Sequence, residues 1–454
     1  MNASERRATF ALASIFALRM LGLFMIIPVF SIAGQHYHGA TPALLGLAIG
    51  IYGLFQALFQ IPVSLLADRF SRKPLIVFGL LLFALGGAIA ALSDSITGVI
   101  IGRAVAGSGA VSAVVMALLA DVTREEQRTK AMATMGMSIA LSFIVAFTLG
   151  PWLHAHVGMS GLFWVTSGAG LLAIVSLLLV PTPRRLLPQR TESYRHQLQQ
   201  VIRLGDINRL HSAIFLLHLL MTAAFVLIPI QLVNIAHLPP SEHATVYLPL
   251  MLLGFVLAIP GIIIAEARRQ MRGIFILAML MLSGSYGVLL FTGNSALGLL
   301  VGLGLFFCAF NVLEALLPSW LAKLAPVASK ATAMGINSTA QFLGAFFGGV
   351  LGGQLLSHTT GLSPWAILGG LSLVGIILAM RLSPPPYLSS LAFHIPERLP
   401  LTSDWLQRVM GVRGVEDVVL LEKERVAYLK VDKKQLDNAS RQELSSLTGQ
   451  TVEF

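Results

Sequence analysis

From Leu44 to Leu66 the chain carries no charged residue, and from Leu75 to Leu92 again none. Between these runs the segment SLLADRFSRKP, residues 64–74, packs one acid, Asp68, beside three cations, Arg69, Arg72 and Lys73. Each run has the length of a helix that crosses a hydrocarbon core of roughly 30 Å. The charged segment therefore reads as a tight turn between two membrane spans.

The pattern repeats along the chain. Apolar runs mark spans near 10–33, 44–66, 74–92, 97–120, 131–153, 161–182, 211–235, 243–265, 273–292, 296–321, 331–357 and 363–382. The first is not a signal peptide. Although Arg6 and Arg7 precede it, the run is too long and is interrupted by Arg19. With 56% hydrophobic and 11% charged residues, the composition is that of a polytopic membrane protein.

All loop cations fall in 67–73, 121–130, 183–210, 266–272 and 322–330, whereas 34–43, 93–96, 154–160, 236–242, 293–295 and 358–362 hold none. Positive charge stays on the cytoplasmic side, so both termini are expected there. The net charge of +10 does not point to nucleic acid. Residues 391–454 hold nine Lys/Arg and ten Asp/Glu, and the preceding part holds 22 against 11, so the excess belongs to the membrane loops. A single cysteine, Cys308, excludes a disulfide or a multi-cysteine metal site built from this chain alone. No cofactor or metal is expected, and no GxxxxGK[ST] stretch supports an ATP-driven pump.

The long basic interval 183–210 divides the spans six and six. IPVSLLAD at 61–68 returns as IPGIIIAE at 259–266, followed by Arg268, Arg269 and Arg272, and RTKAMA at 128–133 returns as SKATA at 329–333. Repeats in the same order and about 200 residues apart imply two parallel halves related by an axis along the membrane normal. The expected organisation is a bundle over 1–182, a cytoplasmic linker over 183–210, a second bundle over 211–382, a stiff Pro-rich linker over 383–390 and a soluble domain over 391–454. In that domain the order βαββα, with 451–454 as a final strand, suggests a ferredoxin-like fold. Its strands are expected at 391–395, 415–422 and 425–431, and its helices at 401–410 and 438–447.

Buried ionisable groups are costly in lipid and mark pathways. Arg19 lies nine residues into the first span, about 14 Å deep at ~1.5 Å per residue. Arg103 is similarly placed in span four. Glu314, near Asn311 in span ten, is the acid clearly inside a span and the candidate proton carrier. Tyr52, Gln56 and Gln60 form one polar stripe on span two, which either lines the pathway or joins helices. His218 in span seven reads as a hydrogen-bonded packing residue.

Twelve spans in two parallel repeats, with SLLADRFSRKP between spans two and three, resemble the major facilitator superfamily. Arg103 in IIGRAVAGSGA, 100–110, corresponds to that family's fourth-span arginine. Its loop usually has glycine where Ser64 and Ser71 stand here, and its antiporter signature in span five is present in part, as Gly150 and Pro151. With the opening RMLGLFMIIP, 19–28, and the C-terminal domain, the chain is similar to the drug/proton antiporter group.

The resemblance implies a transporter rather than an enzyme, with no catalytic residues. Its expected role is proton-driven efflux of amphipathic or hydrophobic small molecules from a bacterial inner membrane. It also implies a latch centred on Asp68, in which Arg72 bridges Asp68 to Asp121 at the end of span four, with Arg69 and Lys73 beside them. Asp68 is expected to face the N-terminus of span eleven, and Glu266, Arg268 and Arg269 are the second-half equivalent. The expected partners are the small-molecule substrate, protons, the lipid bilayer and a regulatory ligand or protein at the C-terminal domain. Two other readings stand beside efflux: a proton symporter of a small metabolite, and a non-transporting sensor or scaffold.

Overall fold

A computed structural model of the chain describes residues 1–181, 194–326, 329–357, 362–387, 389–396, 402–421, 425–432 and 435–450. The chain divides into two compact units, Met1–Ser383 and Pro384–Phe454.

The first unit is helical. Its elements are α1 (Ala3–Phe24), α2 (Ile27–Ala33), α3 (Pro42–Arg69), α4 (Arg72–Ala91), α5 (Ile96–Ser108), α6 (Ser112–Val122), α7 (Glu125–Leu177), α8 (Tyr194–Arg203), α9 (Gly205–Asn234), α10 (His243–Ala267), α11 (Met271–Thr292), α12 (Ala296–Leu324), α13 (Lys330–Ser357) and α14 (Pro364–Met380). Spans one and four are each made of two pieces. The first is interrupted before Pro28, which lacks an N–H to continue the helix, and the fourth at Gly109, whose ψ of 46° leaves the helical region.

Ten described helices are long and apolar enough to cross a membrane, and Pro364–Met380 is a shorter apolar one. One of the ten, Lys130–Leu177, runs for 48 residues, about 72 Å at ~1.5 Å per residue, more than twice a bilayer core. It is two spans. Gly158 inside it has φ 67° and ψ −174°, a conformation that glycine adopts without strain, and the chain turns back there. Thus Gly150 abuts Met25 while the Thr166 hydroxyl reaches the Gly22 carbonyl at 3.5 Å. Two residues sixteen apart on one straight helix cannot both touch neighbours three apart on another. The expected loop 154–160 is therefore a one-residue reversal, and with Pro364–Met380 the described residues hold twelve spans.

The packing carries the internal repeat. Span one packs on span five and span seven on span eleven; span three packs on four and six, as span nine does on ten and twelve; span two packs on four, as span eight does on ten. The basic interval expected as a loop is partly helical instead. Residues 182–193 lie outside the described residues, but α8 occupies 194–203 and α9 begins six residues before the expected 211. Val201 on α8 is fully buried, and the Thr332 hydroxyl at the start of α13 donates to Gln197 at 2.9 Å.

The halves meet along a glycine face. A Cβ at Gly46 would lie 2.2 Å from the Gly349 carbonyl, at Gly50 2.6 Å from that of Phe346, and at Gly53 2.5 Å from that of Phe342. Backbones of α3 and α13 touch because these positions have no side chain. This contact runs from the middle of the bundle to the end with the uncharged loops. Rings extend it: Phe147 of α7 meets Phe225 at 4.8 Å and Tyr247 at 6.0 Å, and Phe143 stacks on Phe310 at 5.6 Å.

The second unit holds β1 (Ser389–His394), α15 (Ser403–Gly411), β2 (Val415–Leu421), β3 (Val426–Val431) and α16 (Asn438–Thr448), the expected βαββα order. Its antiparallel sheet runs β1-β3-β2, with an irregularity between Val415 and Asp417. The expected strand at 451–454 lies outside the described residues. Thr402 caps α15, its hydroxyl accepting from Trp405 N–H, and the core gathers Phe393, Trp405, Val409, Ala427, Leu429 and Leu444.

Candidate functional site

Arg19 is 2% exposed and Arg103 3%. The polar stripe on α3 holds the first of them: Tyr52 and Gln56 each accept from Arg19 Nη2 at 3.0 Å, Ser112 of α6 accepts from Nη1 at 3.1 Å, and Gln56 passes an N–H on to Gln60 at 3.1 Å. The spacing of 52, 56 and 60 places all three on one helix face. Arg103 donates through Nε to the Ala48 carbonyl and through Nη2 to that of Ile49 at 3.0 Å. Helix carbonyls have a second lone pair for such a bond. Each guanidinium also lies over a ring, Arg19 over Phe83 at 5.6 Å and Arg103 over Tyr52 at 5.9 Å. Among the described residues neither has a carboxylate partner. The first half thus holds two fixed positive charges within neutral acceptors.

The second half holds titratable groups instead. Glu314 on α12 lies 3.7 Å from His218 Nε2 of α9, and Gln341 of α13 donates to His218 Nε2 at 2.8 Å and to Glu314 Oε1 at 3.4 Å. His218 Nδ1 is 3.2 Å from the Ile214 carbonyl, and Phe310 lies edge-on to the imidazole. Asn311, one helical turn before Glu314, is half-buried. Sequence reasoning set His218 aside as packing and missed Gln341, an amide in a run of small and apolar residues. Three spans, seven, ten and eleven, are needed to assemble this cluster, and no local spacing joins them.

At the cation-rich end, Arg72 Nε pairs with Asp121 Oδ2 at 3.0 Å, and Lys73 donates to the Val180 carbonyl at 2.5 Å. The side chains of Asp68 and Arg69 lie outside the described residues, so the expected contact of Asp68 with span eleven does too. Ser64 is half-buried in α3; Ser71, the residue before α4, has φ −60°, so no left-handed turn is required of it. In the second half Glu266 accepts from Ser319 at 2.6 Å and pairs with Lys323, both on α12. Arg269 adopts φ 57° after α10, Arg268 forms its cap, and Arg272 donates to the Met380 carbonyl at 2.6 Å. Glu5, 4% exposed, binds Arg124 through both backbone N–H and guanidinium, at 3.1 and 2.8 Å. That pair fixes the start of α1 to the start of α7 and was not anticipated.

A twelve-span bundle of two parallel repeats, with two buried arginines in the first and a half-buried carboxylate in the second, is the architecture of a secondary transporter. The chain belongs to the Major Facilitator Superfamily, whose family model matches residues 12–319. It is 42% identical to the inner membrane transport protein YajR of Escherichia coli (strain K12) over 96% of each chain. It is 25% identical to the multidrug resistance protein MdtH of Aeromonas salmonicida (strain A449), over 80% of this chain and 92% of that one. Among solved structures, a bacterial homologue of the human lysosomal transporter Spinster, inward-facing and unoccupied, superposes with a TM-score of 0.67 at 15% identity, over 84% of this chain and 94% of the other.

Proposed function

We propose that the protein is a proton-coupled exporter of amphipathic or hydrophobic small molecules that works by alternating access in a bacterial inner membrane, with both termini cytoplasmic. The observation that carries this reading is the division of labour between the halves. Arg19 and Arg103 are arginines, which effectively never deprotonate in proteins, and both are hydrogen-bonded inside the first half, Arg19 through its two Nη atoms. Glu314, bound to a neutral amide and beside an imidazole across the second half, can exchange a proton. Rocking of one half against the other would alternately wet and seal that carboxylate, changing its affinity for a proton through desolvation and neighbouring charge.

Asp68, Arg69, Ser71, Arg72, Lys73 and Asp121, with Ser64 one turn before, form the proposed latch, and Glu266 with Arg268 and Arg269 its second-half counterpart. The name of YajR, an inner membrane transport protein, supports membrane transport, and that of MdtH, a multidrug resistance protein, is consistent with drug-like small molecules as cargo. The C-terminal domain, folded on its own core, is the proposed seat of a regulatory ligand or protein. The test is uptake into proteoliposomes with an imposed pH gradient and a panel of lipophilic dyes. Gradient-dependent accumulation is expected; dye movement indifferent to the gradient would sink the coupling.

A further inference from the structure

The hydrogen bonds of His218 fix its state. The Ile214 carbonyl only accepts, so the proton of the neutral ring sits on Nδ1, and Nε2 is left as an acceptor for Gln341. The amide orientation follows likewise: Gln341 faces the carboxylate of Glu314, which accepts, so its NH₂ must lie on this side. One NH₂ group thereby serves both neighbours. Glu314 Oε2, a buried oxygen, has no hydrogen-bond partner and lies 3.7 Å from His218 Nε2.

A proton arriving from water at Nε2 undoes this arrangement. The new N–H meets the Gln341 N–H head-on at a separation of 2.8 Å, two donors with no acceptor between them, and Gln341 must turn or withdraw. The unpartnered Oε2 of Glu314 lies 3.7 Å from the same nitrogen, and once Gln341 withdraws a shift of under ~1 Å closes a charge-assisted hydrogen bond. We infer that His218 is a second proton-binding group of this transporter and that Gln341 changes partner when His218 is loaded. The inference rests on the proton-coupled reading above and names the residue through which the proton is felt.

Gln341 is a positioning residue, because it sits on the helix that forms the seam. Its chain neighbour Phe342 presents the carbonyl against which Gly53 of the other half is packed. Turning the amide changes what holds α13 to α9 and α12, one residue from the contact between halves. Among the described residues the polar and charged partners of His218 are Ile214, Gln341 and Glu314; His211, two turns earlier on α9, is engaged with the Ala333 carbonyl. Arg19 and Arg103 are bound within the first half.

The test uses the full chain in lipid nanodiscs, with Cys308→Ser and spin labels at two exposed positions, Ala133→Cys on α7 and Ala331→Cys on α13. The distance between them is followed from about pH 5 to about pH 8, the window in which imidazole changes charge. A pH-dependent distance is expected in the parent. Gln341→Met removes the donor that holds Nε2 unprotonated, so the half-change should move up by about one pH unit, the tenfold effect of one hydrogen bond. Glu314→Gln removes the anion that receives the imidazolium, and the half-change should move down. A packing role predicts no such opposition of sign. No pH-dependent distance, equal half-changes, or shifts in one direction for both variants overturn the inference while leaving gradient-driven transport to stand on its own assay. The opposed shifts without gradient-driven transport overturn the exporter reading alone.

Discussion

Arg72 Nε and Asp121 Oδ2 lie 3.0 Å apart and tie the start of α4 to the end of α6, with side chains 17% and 34% exposed. A partly exposed pair of this kind contributes on the order of 1 kcal/mol, enough to shift a two-state population about fivefold. Asp121→Asn and Arg72→Gln should each change cysteine accessibility at the two ends of the bundle by about that factor, with the double variant no worse than either alone. Asp68→Asn tests whether that acid belongs to the same latch. Unchanged labelling with normal transport would remove it from the mechanism.

The seam between the halves gives a steric prediction. At Gly46 a Cβ would sit 2.2 Å from the Gly349 carbonyl and 2.6 Å from the Gly353 Cα, both backbone, so neither yields by a rotamer change. Gly46→Val should hold the halves apart at the end with the uncharged loops. Transport should fall more than tenfold, as the strain of overpacking is typically ~1–3 kcal/mol. A cysteine beside the seam should label faster from that side; equal labelling and full transport would show that the halves do not close there.

Glu314→Gln keeps shape and removes the titrating group. Substrate binding should persist within about twofold, whereas accumulation against a gradient should be lost. A glutamine variant that still concentrates dye with the same dependence on imposed pH would place the coupling elsewhere.

In the C-terminal domain Asp437 caps α16. Its carboxylate accepts from Ser440 N–H at 2.8 Å, and that bond, together with the Ser440 hydroxyl and Arg413 further off, holds its carboxyl below the usual carboxylate range. A depressed folded value means that the capping contribution is present above the unfolded value of about 3.9 and disappears as pH falls through the folded value. Thermal melting of residues 384–454 should therefore lose stability below about pH 4, and Asp437→Ala should melt lower at neutral pH with a flatter acid limb. Parallel curves for the two proteins would show that the cap is not the acid-sensitive element.

The chain announces its spans because lipid leaves no other solution for runs such as 44–66, and it announces the repeat because IPVSLLAD and IPGIIIAE keep their register. It announces Arg19 and the stripe at 52, 56 and 60 because one helix face shows itself in spacing. What stays hidden is of two kinds. The turn between spans five and six needs only Gly158, and one glycine among 42 carries no signal of its φ. The His218, Gln341 and Glu314 cluster is drawn from residues 27 and 123 apart, so it exists only after three helices have packed. The helical part of the basic linker was obscured by its charge, which reads as loop until Val201 is seen buried.

Because Arg19 and Arg103 are hydrogen-bonded to neutral dipoles and, among the described residues, not paired with acids, the first half carries two uncancelled elementary charges into the low-dielectric middle of the bundle. In the alternating-access cycle proposed above, an electric field across the membrane would act on them as sealing passes from one end of the protein to the other, since the voltage drop concentrates over the sealed end. Each charge crossing the full drop is worth about 2.3 kcal/mol per 100 mV. The resting cell is negative inside, so the orientation of the empty carrier should follow membrane voltage even where no difference in pH exists.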